Sequence, residues 1–242
     1  MKTIVVIPTY NEYENLSAIV KAILDLPIAE LHLLIIDDNS TDGTGDLAES
    51  LAAQYTGKIH IIHRAGKLGL GTAYVAGFKR ALELGAEYIV QMDADFSHPP
   101  EKLVDFVQLI PDYDLVIGSR YTPGGSLDHD WPFWRKLLSG FGNLYARILL
   151  NSKIHDMTGG FRIWQRKALE LIPLDRLRSN GYMFQVEMAY LAELKHMSVK
   201  EIPIYFAERK FGKSKIDLSI QLEAALSVWK LPSRYRDLRE TK

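Results

Sequence analysis

The sequence predicts an α/β fold built on a Rossmann-like, mostly parallel central sheet with helices on both faces. Three observations predict it. Short apolar runs recur through the first half, at Thr3–Ile7, Leu31–Ile36, Lys58–Ile62 and Tyr88–Met92. Helix-patterned stretches separate them, and parallel strands need such crossovers. The runs are apolar throughout rather than alternating, which marks strands covered on both faces.

Each element has a local reason. The first strand stops at Pro8, and Asn11, Glu12 or Glu14 opens a helix whose apolar positions include Leu16, Ile19, Val20 and Ile23. The second strand stops at Asp37-Asp38, and Thr41-Asp42-Gly43-Thr44 starts a helix through Leu51. A glycine-rich loop, Gly66–Gly71, leads from the third strand into a helix from about Thr72 to Leu84. A helical stretch at Leu103–Leu109 and a strand at Leu115–Gly118 follow. The pattern then changes. Pro123-Gly124-Gly125 opens a loop, and Trp131–Asn151 reads as an amphipathic helix interrupted at Gly140 and Gly142. Met183–Leu194 reads as a helix, Val199–Phe206 as a strand, and Leu218–Leu231 as a last helix stopped by Pro232. With no repeat and no linker, one domain over 1–242 is expected, with a nucleotide-binding half at about 1–118 and a second half at about 119–242.

Composition narrows the function. The 242 residues are 47% hydrophobic and 24% charged, which is ordinary for a globular chain. A net charge of −1 gives no basic field for nucleic acid. The absence of cysteine removes thiolate metal sites and a Cys nucleophile. Met1-Lys2-Thr3 runs straight into a short strand, and no apolar run approaches the ~18–20 residues that cross a bilayer. An intracellular protein, soluble or held on a membrane surface, is expected.

Parallel sheets bind ligands at the carboxyl ends of their strands. Tyr10-Asn11-Glu12, Asp37-Asp38-Asn39 and Asp93-Ala94-Asp95 all fall at such ends. Asp93 and Asp95 stand at i and i+2 where an apolar run stops, so both carboxylates can face one hard cation. Mg²⁺ or Mn²⁺ held by one or two carboxylates, with its other positions left to phosphate oxygens and water, is a typical nucleotide site. The alternative is a pair of acids beginning a loop, with Asp95 or Ser97 capping the helix after Pro99-Pro100.

Further clusters follow in order: Gly118-Ser119-Arg120-Tyr121, Asp156-Met157-Thr158-Gly159-Gly160-Phe161-Arg162, Gly181-Tyr182-Met183-Phe184-Gln185, and Arg209-Lys210-Phe211-Gly212-Lys213-Ser214-Lys215. Together with Ile7-Pro8-Thr9-Tyr10-Asn11-Glu12 and Asp37 to Thr44, the set resembles family-2 glycosyltransferases of GT-A fold, over about residues 4–216. Within that family it is most similar to the dolichyl-phosphate (polyprenyl-phosphate) mannose synthase branch. The resemblance implies inverting transfer of mannose from GDP-mannose to a polyprenyl or dolichyl monophosphate. It implies that Pro8, Tyr10, Glu12, Ile36 and Asp38 hold the nucleoside. It places Asp93, Ala94, Asp95 and Ser97 at the diphosphate, with Asp93, Asp95 and Ser97 as metal positions. Arg120, Arg135, Ser139 and Arg209 are implied for the acceptor phosphate, Arg209 and Lys215 for the donor, and Asp95, Arg120, Asp156 and Arg209 for catalysis. Asp156 is expected to orient sugar or a neighbouring Arg, its alternative being a loop acid that caps Thr158 or pairs Arg162. Glu187 is expected to be a structural partner of Arg residues.

The branch commonly has Ser where this chain has Gly159, Gln where it has Ser97, and in some relatives Lys where it has Asn180. Many relatives carry transmembrane helices after the catalytic part. Here two segments could lie at a lipid boundary: Trp131–Leu150, through Trp131, Trp134 and Phe141 beside Arg135 and Lys136, and Leu218–Leu231, through Trp229 followed by Arg234, Arg236 and Arg239. The first is expected at the interface and the second in the core. Peripheral attachment to the cytoplasmic face of a membrane is expected, and a separate membrane subunit is a further partner left open. Three rival functions remain: the same chemistry with UDP-glucose or another UDP-sugar, a non-catalytic nucleotide-sugar-binding subunit, and a nucleotidyltransferase. Asp38 does not separate guanine from uracil. Asp93, Asp95, Arg120 and Arg209 argue against the second rival. The place of a glycine-rich basic loop after the first strand is taken by Pro8-Thr9-Tyr10-Asn11-Glu12, which argues against the third.

Overall fold

The computed structural model describes residues 1–208 and 226–239. Arg209, Lys215 and most of the expected Leu218–Leu231 helix lie outside the described residues.

Seven strands form the main sheet in the order β3-β2-β1-β4-β7-β5-β8. They are β1 (Thr3–Thr9), β2 (Leu31–Asp37), β3 (Ile59–His63), β4 (Tyr88–Gln91), β5 (Leu115–Ser119), β7 (Arg162–Gln165) and β8 (Val199–Pro203). The first four pair in parallel, with Val5 opposite both Leu33 and Val90, and Ile35 opposite Ile61. Alternation along β1 sends Ile4 and Val6 to one face and Val5 and Ile7 to the other. The first face packs on α3 (Leu70–Glu83) and α7 (Tyr182–Leu194) through Tyr74, Phe78, Phe184 and Trp164. The second packs on α1 (Tyr13–Leu24), α2 (Thr44–Gln54) and α4 (Lys102–Leu109) through Leu16, Ile19, Leu51 and Phe106. Gly77 lets α3 lie close on the sheet, because a Cβ there would come within 2.3 Å of Val6 Cγ1.

Three sequence expectations change. β7, which the sequence pattern does not reveal, inserts antiparallel between β4 and β5, with Ile163 opposite both Val90 and Val116. Only two of its residues are apolar, so its strand character comes from pairing on both sides. The strand expected over Val199–Phe206 divides into β8 and β9 (Tyr205–Phe206). After Pro203, Ile204 donates its N–H to Ser119 O, its carbonyl accepts from Ser126, and the chain leaves the sheet edge to pair with β6 (Ser126–Leu127). The Trp131–Asn151 helix is one unbroken α5 (Phe133–Leu150). A Cβ at Gly140 or Gly142 would meet nothing, so neither glycine marks a close approach or a break.

α6 (Arg166–Glu170) follows β7, and α8 (Leu231–Arg234) lies near the far end of the chain. Glu187 on α7 binds that end: it accepts from Arg234 Nη1 at 2.6 Å, from Tyr235 Oη at 2.9 Å, and from the backbone of Arg178 and Ser179. The expected Arg partner of Glu187 is thus Arg234.

Candidate active site

Parallel β1, β2, β4 and β5 deliver their carboxyl ends to one edge of the sheet. β7 runs the other way, so its first residue, Arg162, sits opposite Gln91 and Ile117 near those same ends. The segment before it, Asp156–Phe161, is thereby brought to the edge where β4 yields Asp93–Asp95 and β5 yields Arg120.

Asp95 is buried, and its Oδ1 accepts from Ser97 Oγ at 2.6 Å and Ser97 N at 3.1 Å. This closes a tight turn through Phe96, whose φ of 62° is a costly left-handed conformation for a bulky residue. The Ser97 hydroxyl therefore orients the Asp95 carboxylate, and neither residue caps α4, which begins after Glu101 with no side-chain cap. Asp93 is more open. Its Oδ1 accepts from Tyr74 Oη at 3.3 Å, and its backbone N–H donates to His98 Nδ1 at 3.1 Å. That bond places the His98 proton on Nε2. Burial between Phe161 and Phe206 pushes the His98 pKa down, so the ring is neutral. The donor set fits Mg²⁺ or Mn²⁺: two hard carboxylates from one strand end, with no cluster of three or more metal-binding side chains among the described residues. Such a pair leaves most of the coordination shell to phosphate oxygens and water.

Across β7, Arg120 and Asp156 form a buried pair. Arg120 Nε and Nη2 reach Asp156 Oδ2 and Oδ1 at 2.8 and 2.7 Å, and Arg120 N adds a bond of 2.9 Å. Nη2 also donates to Thr158 Oγ1 at 2.6 Å. Burial alone would raise the Asp156 carboxyl, but the Arg120 charge and hydrogen bonds overcome it and hold the group below the usual carboxylate range. Arg162, the alternative partner, instead donates to the carbonyls of Gly159 and Met157 at 2.9 Å each. Burial lowers its pKa to about 10. Arg162 thus shapes the loop that holds Asp156.

On the other side of β4, the nucleoside candidates gather at β1 and β2. Pro8 is paired with Ile36. Asp38 accepts from Arg64 Nη1 at 2.7 Å, and Arg64 Nη2 donates to Thr72 Oγ1 at 2.6 Å. Burial raises the Asp38 pKa against the opposing pull of Arg64. Lys67 lies 4.5 Å over the Tyr10 ring. Glu12 accepts from Asn15 Nδ2 at 2.8 Å, and Ala94 is buried beside Asp95.

The remaining phosphate candidates, Arg135 and Ser139, lie on α5 and reach the Phe206 and Tyr121 rings that flank Arg120, Arg135 by way of Trp131 and Ser139 directly. Arg135 directs Nη1 to both oxygens of Glu208, at 3.1 and 2.8 Å, and stacks 3.7 Å over Trp131. Ser139 Oγ shares a hydrogen bond of 2.7 Å with Tyr121 Oη. Trp131, expected among the lipid-facing rings, is only 7% exposed and packs edge-on against Phe206. It precedes Pro132 and so lies outside α5, which takes it off the helix's outer face. Phe133, Trp134, Leu137, Phe141 and Ile148 do form an exposed apolar stripe along α5. In the second expected segment the end that is described divides: Val228 and Leu231 are buried, while Leu226 and Trp229 are exposed.

Sequence reasoning missed Arg64, Tyr74 and His98. Arg64 directly follows β3, so the strand-end rule that found Asp38 also covers it. Tyr74 gave no signal, since a helical Tyr reads as core.

The sequence model for Glycosyl transferase family 2 matches residues 4–172. A polyprenol monophosphomannose synthase of Mycolicibacterium smegmatis is 45% identical over 228 residues, 94% of this chain and 85% of that protein. An undecaprenyl-phosphate mannosyltransferase of Micrococcus luteus is 42% identical over 241 residues, 99% and 98% of the two chains. Among solved structures, glucosyl-3-phosphoglycerate synthase from Mycobacterium tuberculosis, in complex with Mn²⁺, UDP and glucosyl-3-phosphoglycerate, aligns with a TM-score of 0.66 at 16% identity, over 96% of this chain and 79% of that one. S. aureus TarS 1-349 in complex with UDP aligns at 0.64 and 16% identity, over 100% of this chain and 67% of that one. The structural likeness places the sheet and its covering helices in the GT-A fold. With its strand-end acids inside a matched span that covers most of the chain, and two close relatives aligned along nearly all of it, the chain belongs to glycosyl transferase family 2 and is a glycosyltransferase.

Proposed function

We propose that this enzyme transfers mannose from GDP-mannose to a polyprenyl monophosphate with inversion, giving a β-mannosyl phosphate, and that 1–242 work as one catalytic domain. The observation that carries the reading is the pairing of opposites at one sheet edge: a carboxylate pair, Asp93 and Asp95, on β4's end and the buried Arg120 on β5's end. The substrates demand this combination, because two phosphate-bearing groups must be held in line despite their repulsion. The names of the two relatives support mannose and the polyprenyl phosphate.

A divalent cation held by Asp93 and Asp95 would neutralise the departing diphosphate. The chain supplies the rest. Asp38, with Arg64, and the Tyr10 to Glu12 segment flank the nucleoside. Asp156 fixes the Arg120 fork so that Nη1, which has no hydrogen-bond partner among the described residues, is left for an acceptor phosphate oxygen. That oxygen is already ionised near neutral pH, since a phosphate monoester has its second pKa near about 6. No general base is needed, and neutral His98 holds the Asp93 backbone instead. The acceptor oxygen forms its bond to the sugar C1 as the C1–O bond to GDP breaks and GDP leaves.

Among the described residues no helix is long and apolar enough to cross a membrane. The α5 stripe, with basic Lys136 and Arg147 on the same helix, serves as the bilayer contact, placing the enzyme on the cytoplasmic membrane face where its acceptor lies. The reading is tested by isolating the product made from GDP-mannose and a short polyprenyl phosphate and assigning its anomeric configuration by NMR. A β-linked mannosyl phosphate is expected, and an α-linked product would overturn inversion.

A further inference from the structure

We infer that Gln185 reads the sugar of the nucleotide-sugar donor, presenting a carboxamide N–H to a sugar hydroxyl in an orientation fixed by Trp164 and Gln91. The inference rests on the nucleotide-sugar reading above. It starts from a chain of three buried side chains. Trp164 Nε1 lies 2.7 Å from Gln91 Oε1, and Gln91 Nε2 lies 3.2 Å from Gln185 Oε1. An indole N–H only donates, so the Gln91 atom facing it must be the carbonyl oxygen. The other end of the Gln91 amide is then the NH₂ group, and the Gln185 atom facing it must be oxygen. The polarity of the relay therefore follows from chemistry and not from an amide assignment. It leaves the Gln185 NH₂ pointing the opposite way, as a donor.

That donor faces the candidate site. Gln185 is only 3% exposed, and its Nε2 finds no hydrogen-bond acceptor among the described residues. This nitrogen is not among the fully buried side-chain atoms that lack a partner, so it is a point where the side chain keeps a small opening through which a ligand hydroxyl can reach it. It borders the ground between the two halves of the site. A Cβ at Gly160 would lie 3.3 Å from Gln185 Nε2 and 3.5 Å from His98 Cε1. His98 in turn holds the Asp93 backbone, and the neighbouring Gly159 abuts the Asp156 carboxylate, 3.1 Å from its Cβ position. Glycine at 160 thus keeps a cradle open between the diphosphate acids and the Arg120–Asp156 pair, which is where the reacting sugar has to lie. A neutral amide suits a neutral hydroxyl there. The diphosphate charge would be met by the cation that the acids hold, and the acceptor charge by Arg120.

The test compares nucleotide with nucleotide-sugar. Calorimetry in Mn²⁺ would measure GDP and GDP-mannose binding to the full chain and to Gln185→Leu. The expected result is a loss of about tenfold for GDP-mannose with GDP unchanged within about twofold. Gln91→Met, which removes the relay and frees the Gln185 amide to turn, should move the same ratio in the same direction by less. Equal losses for GDP and GDP-mannose in both variants would make the cluster merely structural and overturn the inference. So would unchanged binding of both, or an effect confined to the acceptor KM. Should the wild-type chain prefer UDP-glucose, the donor assignment fails by itself, and the same ratio taken with UDP and UDP-glucose still decides the role of Gln185.

Discussion

The Arg120 guanidinium grips the Asp156 carboxylate with two parallel bonds of 2.8 and 2.7 Å, both residues buried, and the Arg120 backbone N–H closes on the same acid at 2.9 Å. Residues 36 positions apart in sequence are thereby locked into one unit between the end of β5 and the approach to the neighbouring β7. Its rigidity leaves the Nη1 edge of the guanidinium set for the acceptor phosphate proposed above.

Breaking this unit has a predictable cost. Asp156→Ala leaves a buried guanidinium without its counter-charge and should lower stability by about 3–5 kcal/mol. Arg120→Lys keeps the charge but loses the fork, and turnover should fall by about tenfold or more while the fold persists. Thermal unfolding and steady-state rates check both. Because Asp156 titrates below its ordinary value in the folded chain, its contribution is present above about pH 4 and is lost as pH falls further.

Asp95→Asn should leave the fold intact and reduce turnover by about a hundredfold or more, since a cation effect of several kcal/mol on the leaving group goes with the charge. EDTA should abolish wild-type activity, and added Mg²⁺ or Mn²⁺ should restore it. A folded Asn variant that keeps more than about a tenth of the rate would remove Asp95 from the cation site.

The outer face of α5 is tested by contrast with its neighbour. Trp134 and Phe141 are 65% and 68% exposed, so Trp134→Ser with Phe141→Ser should leave the unfolding midpoint unchanged. The pair should weaken liposome binding and activity on long-chain acceptors, because each ring contributes on the order of 1.5–3 kcal/mol when buried in the acyl boundary. Activity on a short, water-soluble polyprenyl phosphate should be spared. Trp131→Ser should do the reverse, lowering the midpoint and both activities.

Stability should also depend on histidines far from the site. His32 and His60 stack at 5.9 Å on β2 and β3, and burial, reinforced by Lys2 with Lys58 near His32 and Arg80 near His60, lowers both pKa values despite Glu30 beside His32. As pH falls, the unfolded chain takes up these protons first, at about pH 6.5. Stability from the pair is thus full above that value and lost below it. The midpoint of wild type should drop between pH 7.5 and 5.5, and His60→Leu should flatten that drop.

Much of the fold was legible in the sequence, because β1, β2, β4 and β5 are apolar runs ended by polar residues. β7 was not, since Arg162 and Gln165 hide a strand that exists only through its two partners. The acids at 93 and 95 and the acid at 38 were legible from the strand-end rule. The Arg120–Asp156 bond was not, because the sequence offered Arg162 as an equal partner for Asp156, and only the antiparallel turn into β7 decides between them. Helical periodicity from Trp134 onward found α5, but the pattern of aromatic rings beside basic residues added Trp131 to its outer face, since Pro132 displaces that residue from the helix in a way such a pattern does not show.

The donor and acceptor pair is tested most directly by sugar transfer itself. Radiolabelled GDP-mannose, UDP-glucose and UDP-GlcNAc should each be offered with a short polyprenyl phosphate and Mg²⁺ or Mn²⁺, and label counted in the organic phase. GDP-mannose should transfer its sugar only when the polyprenyl phosphate is present, at least about tenfold faster than either UDP-sugar. A UDP-sugar transferred as fast as or faster than GDP-mannose, or label transferred without the acceptor, would contradict the account.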